Sequence, residues 1–184
     1  MDRGELDAHL DRVLIGEREP GPVALAEWDS AWSARFERER DRLRQALGDV
    51  ARRIEHIGST SVTGLAAKPI VDILVTVPDA DDEGAFVQSL VSAGYVLRVR
   101  EPGHRLLRTP DRGVHVHVLA DSDPEADRYL MFRDRLRCSA EDRIAYERLK
   151  RELAPRDWYE IGHYAHAKGP LVEAILARAA GAGT

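Results

Sequence analysis

The fold is decided by residues 54–77, IEHIGSTSVTGLAAKPIVDILVTV. The pattern predicts a strand over 54–57, a tight turn at Gly58, a short helix over about 59–67, and a second strand over 70–77. Glycine permits turn conformations that other residues resist, and the hydroxyl side chains that follow it can cap a helix. The second strand is almost wholly apolar and β-branched, which is typical of a strand buried on both faces.

Asp72 is the one charged residue in the second strand. A carboxylate in a buried strand is costly unless it is paired, hydrogen-bonded or bound to a metal. The turn Gly58-Ser59-Thr60-Ser61 before it is a candidate phosphate site, because a glycine-serine turn leading into a helix directs backbone N–H groups at an anion. The two features together suggest a nucleotide and metal site. The alternative is a hydroxyl-rich helix cap beside an aspartate that accepts backbone hydrogen bonds.

Composition and charge limit the class of protein. The 184 residues suit one domain, with an N-terminal helix and loop over 1–22 and a helical part over 123–180. The net charge of −5 argues against a surface that coats nucleic acid, and the single cysteine, Cys138, fits a reducing compartment. The chain has no apolar run near the roughly 20 residues that span a bilayer, and its N-terminus is too charged for a secretory signal. We expect a cytoplasmic protein without nucleic-acid or membrane partners.

The rest of the chain predicts an α/β fold. Further strands are expected over 95–100, 105–109 and 114–119, and the turn residues at 110–113 make the last two a hairpin. A helical connection after residue 77 allows a crossover, so the sheet is predicted to be mixed, with four or five strands and flanking helices.

Helices are predicted mainly from apolar residues at helical spacing. Asp29 or Ser30 caps the first long helix, which runs to about Leu47, and another helix is predicted from the acidic turn at 79–82 to about Ala93. The chain is helical from residue 123 onward. Ser139 caps one of these helices, and Ile144 is expected to face inward on it.

The segment Val-His-Val-His-Val at 114–118 alternates strictly. In a strand its valines lie on one face, and His115 and His117 lie together on the other. Two histidines at this spacing can bind a metal, or a phosphate when protonated. With Asp72 on a neighbouring strand they form a candidate metal site. The alternative is that each imidazole simply hydrogen-bonds across the sheet.

The segment GSTSVTGLAAKPIVDI (58–73) resembles the signature of the bacterial GrpB-like family, which has the DNA polymerase β-type nucleotidyltransferase fold. The resemblance spans most of the chain, and relatives of the domain are also fused to dephospho-coenzyme A kinase, where an accessory role in folding is suggested. Other segments that carry it are Trp32 to Phe36, His115 to His117, FRDRLR (132–137), YERLK (146–150), and Tyr164 with Lys168.

The resemblance implies a catalytic centre, but this chain departs from the usual residue pattern of that fold. Nucleotidyltransferases of this type use three acids, two of them as Asp-x-Asp on one strand, to hold two divalent ions. Asp72 matches the first acid, but Leu74 stands at the second, and the third-acid strand offers His115 or His117 instead. One Asp with histidines suits zinc, manganese or nickel better than paired magnesium. We assign Asp72 and His117 as catalytic candidates and a divalent cation (Mg, Mn or Zn) as the candidate cofactor.

The resemblance also implies that basic residues of the helical half hold an anionic ligand. Arg133, Lys150 and Lys168 are the best candidates, with Lys68 from the signature segment. Each could instead form an ion pair on a helix surface.

Two hypotheses therefore remain open. The chain is a nucleotidyltransferase-like enzyme acting on a small molecule, with a nucleotide or another phosphorylated ligand as partner, or it is a non-catalytic ligand-binding or folding-accessory module. Leu74 favours the second hypothesis, and the combination of turn, Asp72, histidines and lysines favours the first. Either hypothesis allows a monomer or a homodimer.

Overall fold

A computed structural model of the chain describes residues 2–18 and 20–181. Its centre is a five-stranded sheet with the order β1-β2-β5-β4-β3. Strands β2 and β5 are parallel, and the three other neighbouring pairs are antiparallel. The predicted mixed sheet is therefore confirmed. The strands are β1 (Arg53–Ile57), β2 (Val71–Val77), β3 (Val96–Glu101), β4 (His104–Arg108) and β5 (Val114–Ala120).

Helices cover both faces of this sheet, as expected for the α/β class. Apolar residues of α2 and α3 pack against one face, and α4 lies on the other, where it contacts β1, β2 and β5. Helix α7 packs against α4, α5 and α6, so the C-terminal half is helical as predicted. The helices are α1 (Arg3–Val13), α2 (Ala31–Leu47), α3 (Val87–Ser92), α4 (Pro124–Cys138), α5 (Ala140–Leu153), α6 (Ile161–Ala167) and α7 (Gly169–Gly181).

Alternation along β2 and β5 sorts their side chains between the two faces. The residues that face α2 and α3 are all buried and form the main core with Trp32 and Phe36 of α2. Toward α4, Leu74 packs with Ile57, Leu119 and Ala126 in a smaller apolar cluster. The core residues of the first face are Val71, Ile73, Val75, Val77, Val114, Val116 and Val118.

The predicted helix over 59–67 is wrong, because the chain forms only a 3₁₀ turn at Ser59–Ser61 there. Two of the three hydroxyl groups expected to cap a helix bond to backbone carbonyls instead. Ser61 Oγ donates to the carbonyl of Gly58 at 2.6 Å, and Thr60 Oγ1 donates to the carbonyl of Ile70 at 3.2 Å. Such side-chain bonds compete with helix formation.

Two other local predictions need correction. The helix predicted up to Ala93 is reduced to a 3₁₀ turn at Glu83–Ala85 and the six-residue α3. Ile144 does not face inward and is 67% exposed. The cap of α5 is as predicted, since Ser139 Oγ accepts the N–H of Asp142 at 3.2 Å.

The N-terminal helix packs on this domain. Leu6, Leu10 and Val13 of α1 are buried, and Leu14 forms an isolated bridge with Val99 of β3. Within residues 2–18 and 20–181, every helix is too short or too polar to cross a bilayer.

Candidate metal and anion site

Asp72, His115 and His117 lie together on the α4 face of the sheet. Parallel pairing of β2 with β5 sets Asp72 opposite His115 and Leu74 opposite His117. Asp72 Oδ1 is 3.6 Å from His115 Nδ1 and 3.5 Å from His117 Nε2. One donor atom from each of the three residues lies within 4.8 Å of the other two. The structure thus brings the three predicted metal ligands to one point.

The spacing of these atoms fits a single metal ion. Separations of 3.5 and 3.6 Å are too long for hydrogen bonds. They are close to the edge of a tetrahedron with metal–ligand bonds of about 2.0–2.1 Å, which is roughly 3.4 Å. Two imidazoles with one carboxylate are typical of zinc and related transition metals, and three protein ligands leave a coordination position for water or substrate. The donor set can therefore hold one ion in a catalytically open site.

Asp72 is ready to act as a ligand because it is ionised at neutral pH. Partial burial by itself raises the pKa of this carboxyl, but the imidazoles of His115 and His117, when protonated, outweigh burial, so the pKa then lies well below its ordinary value. The Asp72 side chain is 29% exposed. The carboxylate is therefore accessible to solvent.

The residues present do not fit the two-magnesium centre that the resemblance implies. Leu74, at the second-acid position, is fully buried in the apolar cluster of Ile57, Leu119 and Ala126. Magnesium needs oxygen ligands in near-octahedral geometry, and this position offers none. The centre can hold one ion through mixed nitrogen and oxygen ligands.

Gly58 is held directly against the carboxylate of Asp72. Its φ angle is +67°, in the region that favours glycine. A Cβ at this position would lie 2.5 Å from Asp72 Oδ2, so any other residue would displace that carboxylate. Glycine at position 58 therefore lets the turn approach the carboxylate closely.

The three hydroxyl residues of the turn have different roles. Thr60 is buried, with its Oγ1 3.0 Å from Nε2 of His56. Like Ser61, it holds the turn in place. Ser59 has a partner outside the turn, since its Oγ accepts a hydrogen bond from Lys150 Nζ at 3.1 Å. Of the three hydroxyls, Ser59 is the one that the structure links to a predicted basic ligand.

Lys68, Lys150 and Lys168 surround two buried tyrosines, and we call this group the lysine–tyrosine cluster. The ammonium of Lys150 lies 5.0 Å from the ring centre of Tyr146 and also donates to the carbonyl of Ala66. Lys168 lies 5.8 Å from the Tyr146 ring and 4.6 Å from the Tyr164 ring. Lys68 lies 5.5 Å from the ring of Tyr164. Three of the four predicted basic ligands therefore meet at one place.

The cluster concentrates positive charge in a low-dielectric setting. Lys150 is 2% exposed, and burial, followed by repulsion from Lys168, lowers its pKa to about 7. Burial also lowers the pKa of Lys168 to about 8, although the field of Asp72 partly opposes this. Among the described residues, the buried hydroxyl of Tyr164 has no hydrogen-bond partner. An anionic ligand bound here would pair with the buried ammonium groups and could accept a hydrogen bond from the Tyr164 hydroxyl.

Arg133, the fourth predicted basic ligand, is placed differently. Its guanidinium binds Glu55 Oε2 at 2.8 Å and the carbonyl of His56 at 3.2 Å, and it also pairs with Asp134. The first two bonds join α4 to the edge strand β1. The structure gives Arg133 a role in holding that helix, apart from the lysine–tyrosine cluster.

Sequence reasoning did not assign His104, Tyr146 or Tyr164 to the site. Nε2 of His104 is 3.2 Å from Nδ1 of His117, and the predicted β4–β5 hairpin was the available signal for that neighbour. Both tyrosines stand four residues before a lysine of the cluster, in the repeated spacing Tyr-x-x-x-Lys. On a helix this spacing puts each pair on one face.

Comparisons with known proteins agree with this architecture. A family model described as GrpB protein matches residues 22–178. A UPF0157 protein of Streptomyces coelicolor is 49% identical over 170 residues, which cover 92% of this chain and 90% of that protein. A UPF0157 protein of Halalkalibacterium halodurans is 45% identical over 178 residues, covering 94% of this chain and 91% of that one.

A solved structure and a longer relative complete the comparison. The crystal structure of the conserved protein GrpB from Enterococcus faecalis matches with a TM-score of 0.73 and 34% identity, over 85% of this chain and 96% of that one. A dephospho-CoA kinase of Mycolicibacterium paratuberculosis is 29% identical, over 86% of this chain and 46% of the kinase. The expected link to dephospho-CoA kinases is therefore confirmed at the level of sequence.

Proposed function

The chain belongs to the GrpB family, and we propose that it is an enzyme that binds one transition-metal ion and a small phosphorylated molecule in the same cleft. The observation that carries this proposal is the spacing of Asp72, His115 and His117. Asp72 Oδ1 lies 3.6 and 3.5 Å from the two imidazole nitrogens, close to the tetrahedral edge of roughly 3.4 Å.

The lysine–tyrosine cluster supports the phosphorylated ligand. Lys150 and Ser59 are hydrogen-bonded, and the turn that contains Ser59 also presses Gly58 against Asp72. The metal ligands and the cations are therefore connected through this one turn. An anion bound at the lysines would recover the free energy that burial costs their ammonium groups.

The proposed chemistry uses one metal ion together with the ammonium groups of the nearby lysines. A bound metal supplies Lewis-acid polarisation of a phosphoryl oxygen. Asp72 and the histidines would hold that metal, and Lys150 and Lys168 would neutralise charge on the phosphoryl group. The resemblance to nucleotidyltransferases makes a nucleoside triphosphate the first ligand to try. In the proposed reaction an acceptor hydroxyl would bond to the α-phosphorus, and pyrophosphate would leave with the other two phosphates.

Calorimetry with metal ions tests the first half of the proposal. We expect wild-type protein to bind one equivalent of Zn²⁺ or Mn²⁺ and to prefer either to Mg²⁺. Asp72→Asn keeps the side-chain size and should lose this binding, whereas Asp134→Asn, on the exposed side of α4, is the matched control and should keep it. Preference for magnesium, or equal binding by Asp72→Asn, would contradict the metal assignment.

A thermal-shift series with pyrophosphate and ATP, each with and without the preferred metal, tests the second half. A ligand at a hundred times its dissociation constant stabilises the folded state by about 2.7 kcal/mol. For a chain of this size that corresponds to a rise in Tm of roughly 5–10 °C. Lys150→Met should abolish the rise, and chromatography of the nucleotide then shows whether turnover occurs.

A second candidate function is supported by the burial of Leu74. A cleft that lacks the second acid can bind a ligand without transferring it, as a ligand-binding or folding-accessory module would. The match to less than half of a dephospho-CoA kinase suits such a module. Ligand-induced stabilisation without turnover for any nucleotide and metal pair would favour this function over the enzyme.

A further inference from the structure

A hydrogen-bonded chain leads away from the candidate metal site through His104. Nδ1 of His117 lies 3.2 Å from Nε2 of His104, and Nδ1 of His104 lies 2.7 Å from Glu101 Oε1. The two imidazole rings are nearly parallel, with 9° between their planes and 5.4 Å between their centres. Pairing of β3 with β4 sets Glu101 opposite His104. The β3–β4 hairpin therefore supplies both residues of this chain.

The direction of these hydrogen bonds is set at the Glu101 end. An ionised carboxylate only accepts, so Nδ1 of His104 carries a proton and donates to Glu101. In a neutral ring Nε2 of His104 is then an acceptor, and Nδ1 of His117 must donate to it. That leaves the lone pair of His117 on Nε2, the atom that faces Asp72 at 3.5 Å.

We propose that Glu101 and His104 are positioning residues that fix the tautomer of His117, so that its Nε2 is presented to the metal ion. This inference rests on the proposed function, because the ion is the one bound by Asp72, His115 and His117. Histidines that bind metals usually donate their other ring N–H to a fixed acceptor, which orients the ring and strengthens it as a ligand. Here the acceptor is a second histidine, His104, which is itself hydrogen-bonded to the carboxylate of Glu101.

The surroundings of Glu101 provide a built-in control. Its other oxygen, Oε2, lies 3.2 Å from Nε2 of His9 on the N-terminal helix. His9 is more exposed than His104 and lies outside the path to His117. Loss of His9 removes a contact of the same carboxylate and leaves the relay intact.

Metal affinity of three variants tests the proposal. Glu101→Leu removes the acceptor and should weaken Zn²⁺ or Mn²⁺ binding by about 10–100-fold, which is the usual cost of losing such a partner. Glu101→Gln keeps a carbonyl acceptor for His104 and should restore most of the affinity. His9→Ala should bind the metal like wild type. Equal affinity in wild type and Glu101→Leu would overturn the proposal, as would an equal loss in His9→Ala.

Nitrogen-15 NMR of the metal-free protein reads the tautomer directly and needs no metal. We expect the proton of His117 on Nδ1 in wild type, and an increased share of the Nε2–H form in Glu101→Leu. A wild-type His117 protonated on Nε2 would overturn this inference while leaving the metal site itself untouched. A wild-type protein that binds no ion would overturn both this inference and the proposed function.

Discussion

Strands β2 and β5 have two faces with opposite properties. The face toward α2 and α3 consists of Val and Ile residues that are at most 1% exposed. The face toward α4 carries Asp72, His115 and His117, whose side chains are 29%, 21% and 17% exposed. The two faces alternate residue by residue along the same two strands. The candidate metal ligands thus lie on the opposite side of the strand pair from the main core.

The α4 face is itself divided. At the start of β2, Asp72 meets the two histidines and Gly58, whereas two residues later Leu74 belongs to an apolar cluster. Asp72 and the two histidines therefore border an apolar cluster that seals the sheet against α4. This division separates the chain from a two-carboxylate centre, and each of the following changes tests it.

Leu74→Asp should have the largest effect. The new carboxylate would lie among Ile57, Leu119 and Ala126, and burial of a charge in apolar surroundings costs several kcal/mol. We expect chemical denaturation to show a loss of about 3–5 kcal/mol, or failure to fold. Retained stability together with binding of two Mg²⁺ ions would show that the position can serve as a second acid.

Ile73→Ala and Asp72→Asn change adjacent residues on opposite faces. Ile73 is fully buried, so its truncation should cost about 2–5 kcal/mol of unfolding free energy and leave zinc affinity close to wild type. Asp72→Asn should do the reverse, with metal binding lost and stability largely kept. Calorimetry and urea denaturation of both variants measure the separation. If the two variants lose affinity and stability together, the two faces do not act independently.

Gly58→Ala should damage the candidate metal site with a moderate cost in stability. Gly58 has φ +67° and ψ −176°, a region essentially restricted to glycine, so an alanine there should cost about 1–3 kcal/mol, and the added Cβ would meet Asp72 Oδ2 at 2.5 Å. We expect metal affinity to fall more than stability does. Gly64→Ala is the control, because that glycine also has a positive φ, +79°, but an added Cβ there would have no atom of the described residues within 4 Å. Unchanged metal affinity in Gly58→Ala would show that the close approach is incidental.

The lysine–tyrosine cluster should make anion binding depend on pH. Lys150 and Lys168 have pKa values lowered to about 7 and about 8, so both are charged at pH 6 and largely neutral at pH 9. Sulfate, whose own charge is constant over this range, should bind about tenfold more tightly at pH 6. Of two further charged neighbours, Glu147 raises the pKa of Lys150 and Arg151 lowers it. The difference in sulfate affinity between pH 6 and pH 9 should be smaller in Lys150→Met.

Stability of the ligand-free protein should change in the opposite direction. The pKa of Lys150 is lower in the folded chain than its ordinary value of 10.5. The unfolded chain therefore binds more protons between about pH 7 and pH 10, and the contribution of Lys150 to stability rises with pH across that window. Affinity and stability that both rose with pH would contradict the assignment of Lys150 as a buried cation.

The sequence was most informative where alternation or periodicity decided the outcome. The pattern of 114–118 separated His115 and His117 from the core valines, and helical spacing identified Trp32 and Phe36 as core residues. It was least informative where hydroxyl side chains choose between a helix and local bonds, as Thr60 and Ser61 do. Local pattern cannot rank those options, because their free energies are similar.

Contacts between distant segments were the second limit. Arg133 binds Glu55, which is 78 residues away, and Lys150 binds Ser59, which is 91 residues away. A basic residue therefore joins a helix to a strand in one case and belongs to the lysine–tyrosine cluster in the other. Only the packing of α4 against the sheet and of α5 against α4 distinguishes the two.

Anomalous diffraction from crystals soaked in zinc tests the central claim most directly. We predict one ion within bonding distance of Asp72 Oδ1, His115 Nδ1 and His117 Nε2, with a non-protein ligand completing its coordination. Crystals of the Asp72→Asn variant should lack that peak. An ion bound elsewhere, or a soaked wild-type cleft without an anomalous peak, would contradict the claim that these three residues form a metal site.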